Sequence, residues 1–243
     1  MALEEEKGFL PDFAEIDPSA LKEARLMFLN YPNNPTAACA SVEFYEEAVE
    51  FARRHDLIVA SDAAYTEMAY DGYRPPSFLQ AKGGREVGIE FHSLSKTFNM
   101  TGWRVGFAVG NPEIIKLLAK VKSNIDSGIF QAIQLAGLKA LREGEDVIQK
   151  NTAVYQERRD ILVQGLEKLG WKVNKPKATF YVWARVPAGY TSAELTAKLL
   201  KDAGIVITPG NGFGANGEGY VRFAITVPKE RILEAVERIR GLK

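Results

Sequence analysis

The segment HSLSKTFNMTGWRVGF, residues 92–107, decides the fold of this chain. It follows an apolar, strand-like run from Val87 to Phe91, and its end opens a second apolar run, Val105 to Val109. Lys96 therefore lies just beyond the end of a predicted strand. A lysine held at a strand end and away from bulk water can lose its proton well below its reference pKa of ~10.4, and the free amine is a nucleophile.

The residues around this lysine offer the groups that a phosphate requires. Ser93 and Ser95 supply hydroxyl donors, and Arg104, eight residues after Lys96, supplies a planar guanidinium group. Lysine amines form Schiff bases with carbonyl substrates and with pyridoxal 5'-phosphate (PLP). Taken alone, the segment also fits a solvated lysine in a turn, so the rest of the sequence has to decide between the two interpretations.

Composition excludes several classes of protein. The 243 residues are 46% hydrophobic and 26% charged, with 31 basic and 31 acidic side chains. This is typical of an ordinary soluble globular protein and argues against nucleic acid or an anionic membrane as the main partner. No apolar run approaches the ~20 residues of a membrane span. The acidic start does not resemble a signal peptide, and the single cysteine, Cys39, favours the cytoplasm. Two distant histidines, His55 and His92, indicate no metal site.

The order of predicted elements indicates a mostly parallel sheet. Strand, helix and strand follow one another as Leu26–Leu29, a helix capped by Ser41, and Leu57–Ala60, an order that implies a right-handed crossover. The helix capped by Ser41 has an apolar face of Phe44, Tyr45, Ala48, Phe51 and Ala52.

The second half of the chain has a different pattern. A helix begins at Asn111-Pro112, and a long helical region, 129–169, is broken near Gly144. Further predicted elements are a strand Thr179–Val186, a helix with the capping box Thr191 and Glu194, strands Ile205–Thr208 and Tyr220–Thr226, and a helix opened by Pro228 with Ile232, Leu233, Val236 and Ile239 inward. We predict a partial large α/β domain, residues 1–150, and a small α/β C-terminal domain, residues 151–243.

Three residues with useful chemistry follow predicted strands: Asn34, Asp62 and Lys96. In open parallel sheets, ligands bind beyond the carboxyl ends of the strands. A PLP ring needs a carboxylate at its pyridine nitrogen, donors at its phenolic oxygen, an amine at its aldehyde and donors at its phosphate. Four sets of residues match these needs in the same order: Asp62; Asn34 with Tyr65; Lys96; and Ser93 and Ser95 with Arg104. Individually, Asn34 also fits a turn before Pro35, and Asp62 also fits a helix cap.

Two features of the C-terminal part need separate interpretation. The loop Gly210–Gly217 contains a G-x-G-x-x-G pattern but leads into a strand, whereas a dinucleotide fingerprint opens a helix, so we interpret it as turn glycines. Arg222 interrupts the apolar strand that follows. An arginine there is costly to bury unless it meets an anion such as a substrate carboxylate, and an outward-facing arginine fits the sequence equally well.

These motifs resemble the class I and II aminotransferases, fold-type I PLP enzymes, from about residue 9 onward. The motifs are YPNNPT at 31–36, Ser61-Asp62 with Tyr65, SLSK at 93–96, Arg104, and Val221-Arg222-Phe223. The sequence around Lys96 is similar to that of LL-diaminopimelate and aspartate aminotransferase-like members. The resemblance implies amino transfer from an amino acid to a 2-oxo acid, with Lys96 forming the Schiff base. It also implies the following roles: Asp62 at the pyridine nitrogen, Asn34 and Tyr65 at the phenolic oxygen, Ser93, Ser95 and Arg104 at the phosphate, Arg222 at the substrate α-carboxylate, and Phe180 and Tyr181 lining the substrate pocket.

The resemblance also implies that part of the large domain lies upstream of the first residue. We therefore expect either a truncated product or one half of a split polypeptide, with reduced or no activity, and a homodimer or larger assembly formed through exposed strand edges. Two alternatives remain open from the sequence. One is another fold-type I PLP enzyme, a C–S lyase or an acyltransferase. The other is a non-catalytic remnant that serves in association.

Overall fold

A computed structural model describes residues 1–242. The strands are β1 (Leu26–Asn30), β2 (Ile58–Asp62), β3 (Gly88–Ser93), β4 (Gly106–Gly110), β5 (Tyr181–Arg185), β6 (Thr208–Pro209) and β7 (Tyr220–Ala224). The helices are α1 (Pro18–Glu23), α2 (Val42–Arg54), α3 (Gly84–Val87), α4 (Leu94–Thr97), α5 (Pro112–Ile125), α6 (Gln131–Glu143), α7 (Glu145–Lys168), α8 (Ser192–Ala203) and α9 (Lys229–Arg240). The fold is α/β, as the sequence predicts.

The first sheet has the order β1-β2-β3-β4. The first three strands are parallel, and β4 runs antiparallel to β3. Helix α2 connects β1 to β2 and packs on one face of the sheet. Its N-cap is Ser41, whose hydroxyl accepts from the Phe44 N–H, and its predicted apolar face is buried. That prediction is confirmed.

The second sheet is antiparallel, with the order β5-β7-β6. Its core side chains include Val182 and Val221, which are fully buried between the sheet and the helices α7, α8 and α9. The capping box at Thr191 and Glu194 is present at the start of α8. The predicted break near Gly144 is confirmed, since α6 ends at Glu143 and α7 begins at Glu145.

The two sheets are tied together by α7 and by a loop of the first sheet. Helix α7 runs through residue 150, so the predicted domain boundary falls inside a helix, and the division into two domains stays a prediction. Arg159 of α7 is fully buried and donates to both carboxylate oxygens of Asp71, at 2.8 and 3.1 Å. The Tyr70 hydroxyl donates to the Thr179 carbonyl.

Two predictions about elements are wrong. Leu233 is half exposed, because α9 buries the arc of Ile232, Val236 and Ile239, and Leu233 lies a further 100° round the helix. The strand expected at Ile205–Thr208 is reduced to Thr208–Pro209. Ile205, the first residue of the expected strand, belongs instead to the turn that ends α8: its N–H donates to the Leu199 carbonyl, and Gly204 between them has a left-handed backbone.

Within residues 1–242, no helix combines the length and the apolar character that a membrane span requires. The same residues contain no group of three or more His, Cys, Asp or Glu side chains placed to hold a metal ion.

Candidate active site

The predicted site residues follow strands that end at one edge of the first sheet. Asn30, the last residue of β1, is in register with Asp62, the last residue of β2, and Asp62 is in register with Phe91 of β3. Strand β4 starts at the same edge, where Gly106 pairs with Ser93. The turns that follow these strand ends are therefore neighbours.

Lys96 lies on the short helix α4, directly after β3. Ser93 caps this helix, and its Oγ accepts from the Ser95 N–H at 3.2 Å. Ser95 is buried and Lys96 is half-buried. The Leu94 N–H donates to the Val105 carbonyl at 3.2 Å, which holds the lysine-bearing turn against the start of β4.

Arg104 sits on the segment that leads into β4. Its backbone is left-handed (φ 53°), a conformation that non-glycine residues rarely adopt, and its side chain is exposed. One guanidinium nitrogen donates to the Thr101 carbonyl at 3.1 Å. Because Gly106 pairs with Ser93, the backbone of this segment lies beside the start of the lysine-bearing turn.

Asp62 and Asn34 are connected through Asn30. The Asn30 Nδ2 donates to the Asp62 carbonyl at 3.0 Å, and the Asn30 Oδ1 accepts from the Asn34 N–H at 2.9 Å. The Asp62 carboxylate is exposed and accepts from the Ala64 N–H at 3.2 Å. Sequence reasoning missed the role of Asn30, although a polar residue closing an apolar strand was the available signal.

Tyr65 is buried against the second sheet. Its ring meets Phe180 edge-on with centroids 5.5 Å apart and Tyr181 with centroids 6.0 Å apart. Burial raises the pKa of Tyr65 well above its ordinary value, because the phenolate would be poorly solvated among these rings. The neutral phenol can donate one hydrogen bond. The structure thus brings three of the predicted residues into one aromatic cluster.

Arg222 reaches across from β7 to the first sheet. Its Nη1 donates to the Asn34 Oδ1 at 2.8 Å, and its Nη2 donates to the Thr208 Oγ1 at 3.2 Å. The guanidinium carbon lies 4.2 Å from the centre of the Tyr181 ring and 4.8 Å from that of Phe213. The outward-facing alternative for Arg222 is therefore wrong.

Thr208 and Phe213 were missed by the sequence reasoning. Thr208 is in register with Arg222 on the neighbouring strand β6, and Phe213 lies in the glycine-rich loop. That loop forms two 3-10 turns, Gly210–Phe213 and Ala215–Gly217, and leads into β7, which confirms that its glycines are turn residues. A Cβ at Gly210 would lie 1.8 Å from the Gly217 carbonyl oxygen, so the close approach requires glycine there.

Comparison with known proteins assigns the family. The family model for "Aminotransferase class I and II" matches residues 1–239. The chain belongs to this family. Its sequence is 58% identical over 240 residues to the LL-diaminopimelate aminotransferase of Moorella thermoacetica and 58% identical over 239 residues to that of Halothermothrix orenii. These alignments cover 99% and 98% of this chain but 62% and 61% of the relatives.

Solved structures of aminotransferases share the fold. Substrate-bound BacF from Bacillus subtilis superposes with a TM-score of 0.95 and 44% identity, covering 99% of this chain and 62% of BacF. A probable N-succinyldiaminopimelate aminotransferase from Thermus thermophilus gives a TM-score of 0.90 at 36% identity, with 97% and 63% coverage. This family member thus has the fold-type I architecture and spans less than two thirds of the length of these relatives.

Proposed function

We propose that this chain binds PLP at the carboxyl edge of its first sheet and transfers an amino group from an amino acid to a 2-oxo acid. One observation carries the proposal: Asn34, Asp62 and Lys96 stand at or just after the neighbouring carboxyl ends of three parallel strands, and Arg222 of the other sheet donates to Asn34. Family membership supports the same chemistry. The donor set fits the cofactor, since the Asp62 carboxylate and the Arg104 guanidinium are exposed and the Tyr65 phenol can donate a hydrogen bond.

The residues would hold the cofactor as follows. Asp62 would pair with the pyridine nitrogen, and Asn34 and Tyr65 would contact the phenolic oxygen. Ser93, Ser95 and Arg104 would hold the phosphate, and Lys96 would bond to the aldehyde carbon. Once bound, PLP supplies an electron sink that stabilises negative charge at the substrate Cα.

The remaining steps depend on side chains of this chain. Arg222 would bind the substrate α-carboxylate through its guanidinium group, and the Tyr181 and Phe213 rings, which lie against that group, would keep it in place. Phe180 and Tyr181 line the pocket. The Lys96 Nζ would take the proton from the substrate Cα and pass it to the cofactor carbon that carried the aldehyde, since a free amine at the strand end can act as a base there.

The relatives' names suggest the substrate. Several are LL-diaminopimelate aminotransferases at 52–58% identity, so LL-diaminopimelate is the amino donor that we would test first. We further propose a cytoplasmic location, in keeping with one unpaired cysteine, and self-association of the chain when no other partner is present.

The test is spectroscopic and chemical. Protein mixed with PLP should turn yellow, and LL-diaminopimelate should then discharge the colour in a single turnover and release a 2-oxo acid. Lys96→Ala should do neither, whereas Lys82→Ala, which changes an exposed lysine, should behave like the wild type. Release of a thiol and ammonia from a sulfur-containing amino acid such as cystathionine, with no response to LL-diaminopimelate, would indicate elimination instead of amino transfer, and a colourless protein would refute PLP binding by this chain.

A further inference from the structure

Asn30 is the last residue of β1, and its side chain contacts two turns of the candidate active site. It is in register with Asp62, the last residue of β2, so the two side chains start on the same face of the sheet. The Asn30 Nδ2 donates to the Asp62 carbonyl at 3.0 Å, and the Asn30 Oδ1 accepts from the Asn34 N–H at 2.9 Å. One half-buried side chain thus holds the backbones of two residues that are proposed for the site.

These two contacts need both ends of an amide group. The Asp62 carbonyl has to receive a donor and the Asn34 N–H has to meet an acceptor, and an asparagine supplies one of each on a single planar group. An ionised aspartate at position 30 would keep the acceptor and lose the donor. A leucine has a similar shape and would lose both. The type of residue at position 30 therefore decides which of the two turns is held.

The turn that follows β1 is also closed by a second side chain. The Asn33 Nδ2 donates to the Asn30 carbonyl at 3.1 Å, and the Asn33 Oδ1 accepts from the N–H and the hydroxyl of Thr36. Asn33 is buried and holds the turn within itself, whereas the Asn30 side chain connects this turn to the end of β2. Of these contacts, those of the Asn30 side chain are the ones that join Asn34 to Asp62.

Asn34 and Asp62 are the residues proposed for two sides of one ring. In the proposed function Asp62 pairs with the pyridine nitrogen and Asn34 contacts the phenolic oxygen. The ring is rigid and of fixed size, so it can meet both side chains only if their spacing matches it. A misplacement of ~1 Å at such a site can cost orders of magnitude in rate. A side chain that fixes this spacing acts on the cofactor without touching it.

We propose that Asn30 is a positioning residue that sets the spacing between the Asp62 carboxylate and the Asn34 side chain, and with it the fit of the PLP ring. The inference rests on the proposed function, since it concerns the same site. Strands β1 and β2 are paired through five residues of each backbone, so the sheet does not depend on the Asn30 amide. Loss of the amide should therefore affect the site more than the fold.

The first measurement uses PLP and 1-deaza-PLP, an analogue in which a carbon replaces the pyridine nitrogen. Both bind through the same aldehyde and phosphate, so the ratio of their dissociation constants reports the contact of the pyridine nitrogen with Asp62. The wild-type chain should bind PLP about tenfold or more tightly than the analogue, as expected for a hydrogen bond to a charged group. Asn30→Leu should reduce this preference to about threefold or less, because Asp62 is then no longer held in place at the ring.

The matched control is Asn111→Leu. The Asn111 amide also bridges two segments, since it donates to the Glu86 carbonyl at 2.7 Å and accepts from the N–H groups of Glu113 and Ile114. It lies at the opposite edge of the first sheet, where the Asn111 N–H donates to the carbonyl of Gly88, the first residue of β3. Its replacement should lower stability and leave the ratio of the two dissociation constants unchanged.

Hydrogen exchange tests the second contact in the absence of PLP. Asn30→Leu should speed exchange of the Asn34 N–H about tenfold or more, measured by nuclear magnetic resonance, because this N–H loses its acceptor. Asn30→Asp keeps the acceptor and should exchange at a rate close to that of the wild type. Unchanged exchange in Asn30→Leu would overturn the inference.

The outcomes separate this inference from the proposed function. A wild-type protein that does not bind PLP would refute the proposed function and the inference with it. If the wild type preferred PLP and Asn30→Leu kept the same preference, or if Asn111→Leu lost it equally, the proposed function would stand and Asn30 would be a structural residue only. A wild type that binds PLP and 1-deaza-PLP equally would refute the contact of Asp62 with the pyridine nitrogen and overturn the role given to Asn30.

Discussion

The Arg222 guanidinium donates to the Asn34 side-chain oxygen across 188 residues of sequence, at 2.8 Å. This contact joins the antiparallel sheet of the second half to the turn that follows the first parallel strand. Asn34 in turn is held by Asn30, which also binds the backbone of Asp62. A chain of hydrogen bonds thus connects the residue proposed for the substrate carboxylate to the residue proposed for the cofactor ring.

Replacing Arg222 by lysine should weaken amino-acid binding and spare PLP binding. A lysine carries a point charge, which cannot reproduce the planar, two-pronged contact with a carboxylate or the stacking between Tyr181 and Phe213. We expect a loss of about 1.5–3 kcal/mol in amino-acid binding, the range for hydrogen bonds to charged groups. Spectral titration of the PLP-loaded protein with the amino acid measures this loss in affinity.

The matched control is Arg185→Lys, on the strand β5 that pairs with β7. Arg185 pairs with Glu5 and makes no contact with Asn34, so its replacement should leave both affinities unchanged. If Arg222→Lys lowered the affinities for PLP and for the amino acid equally, Arg222 would be a structural residue.

Borohydride treatment of the protein with PLP should label Lys96. Reduction makes the bond between a lysine amine and the cofactor permanent, and peptide mapping then identifies the lysine. Lys96 is the lysine that follows Ser93 and Ser95 at the carboxyl edge of the sheet, so one peptide should carry the label. A label distributed over several exposed lysines would show that the modification is nonspecific.

A further prediction concerns Glu90, which is buried behind the site. Its carboxylate accepts from the Ser77 hydroxyl and the Phe78 N–H at 2.8 Å, and its third partner is the His92 Nε2 at 2.9 Å. An amide in place of the carboxylate would turn an NH2 group towards these donors. Glu90→Gln should therefore lower the free energy of unfolding by about 2–4 kcal/mol, measured in urea, whereas Glu86→Gln on the surface should change it little.

The same carboxylate makes a pH-dependent contribution to stability. Burial alone would raise its pKa, but the hydrogen bonds from His92, Ser77 and Phe78 outweigh burial and hold the pKa of Glu90 below its ordinary value of 4.5. A carboxylate whose pKa is lower in the folded than in the unfolded protein stabilises the fold at any pH above its unfolded-state pKa. This stabilisation is lost as the pH falls through the lowered, folded-state pKa. Below pH 4.5 the wild type should lose stability faster than Glu90→Gln. Parallel pH profiles for the two proteins would contradict this assignment.

Much of the fold could be predicted from local patterns. The strands before Asn34, Asp62 and Lys96 are short apolar runs that end in turn residues, and the caps at Ser41 and Thr191 are used in the structure. These features depend on neighbours within a few residues, where periodicity and capping rules apply. The set of candidate residues at one sheet edge follows from the same strand ends.

Contacts between distant segments could not be predicted in this way. Whether Arg222 faces outward or towards Asn34 depends on how the two sheets dock, and no sequence period encodes this. The same holds for Phe213, whose glycine-rich surroundings indicate only a turn. Leu233 was wrongly predicted to face inward. The helical pattern identifies the apolar residues of α9 but not how much of the helix surface its neighbours cover.

The docking of the two sheets leads to the last prediction, which concerns Arg159. This side chain is fully buried, donates to the Pro176 carbonyl at 2.8 Å, and lies over the Tyr70 ring at 4.6 Å. With Asp71 it joins helix α7 to the loop that follows β2. Arg159→Leu would fill most of the space but leave the buried Pro176 carbonyl without this donor, while the half-exposed Asp71 could still be solvated.

We expect Arg159→Leu to lower the free energy of unfolding by about 2–3 kcal/mol in urea, because an unsatisfied buried carbonyl and a lost charged hydrogen bond each cost about 1–3 kcal/mol and solvation of Asp71 offsets part of the sum. The matched control is Lys150→Leu on the same helix, whose fully exposed pair with Asp146 should contribute little to stability. Because Arg159 acts where the two sheets meet, its loss should also weaken amino-acid binding through Arg222 more than it weakens PLP binding at the first sheet. An Arg159→Leu protein with wild-type stability and wild-type amino-acid affinity would show that the contact between Arg159 and Asp71 does not fix the two sheets relative to each other.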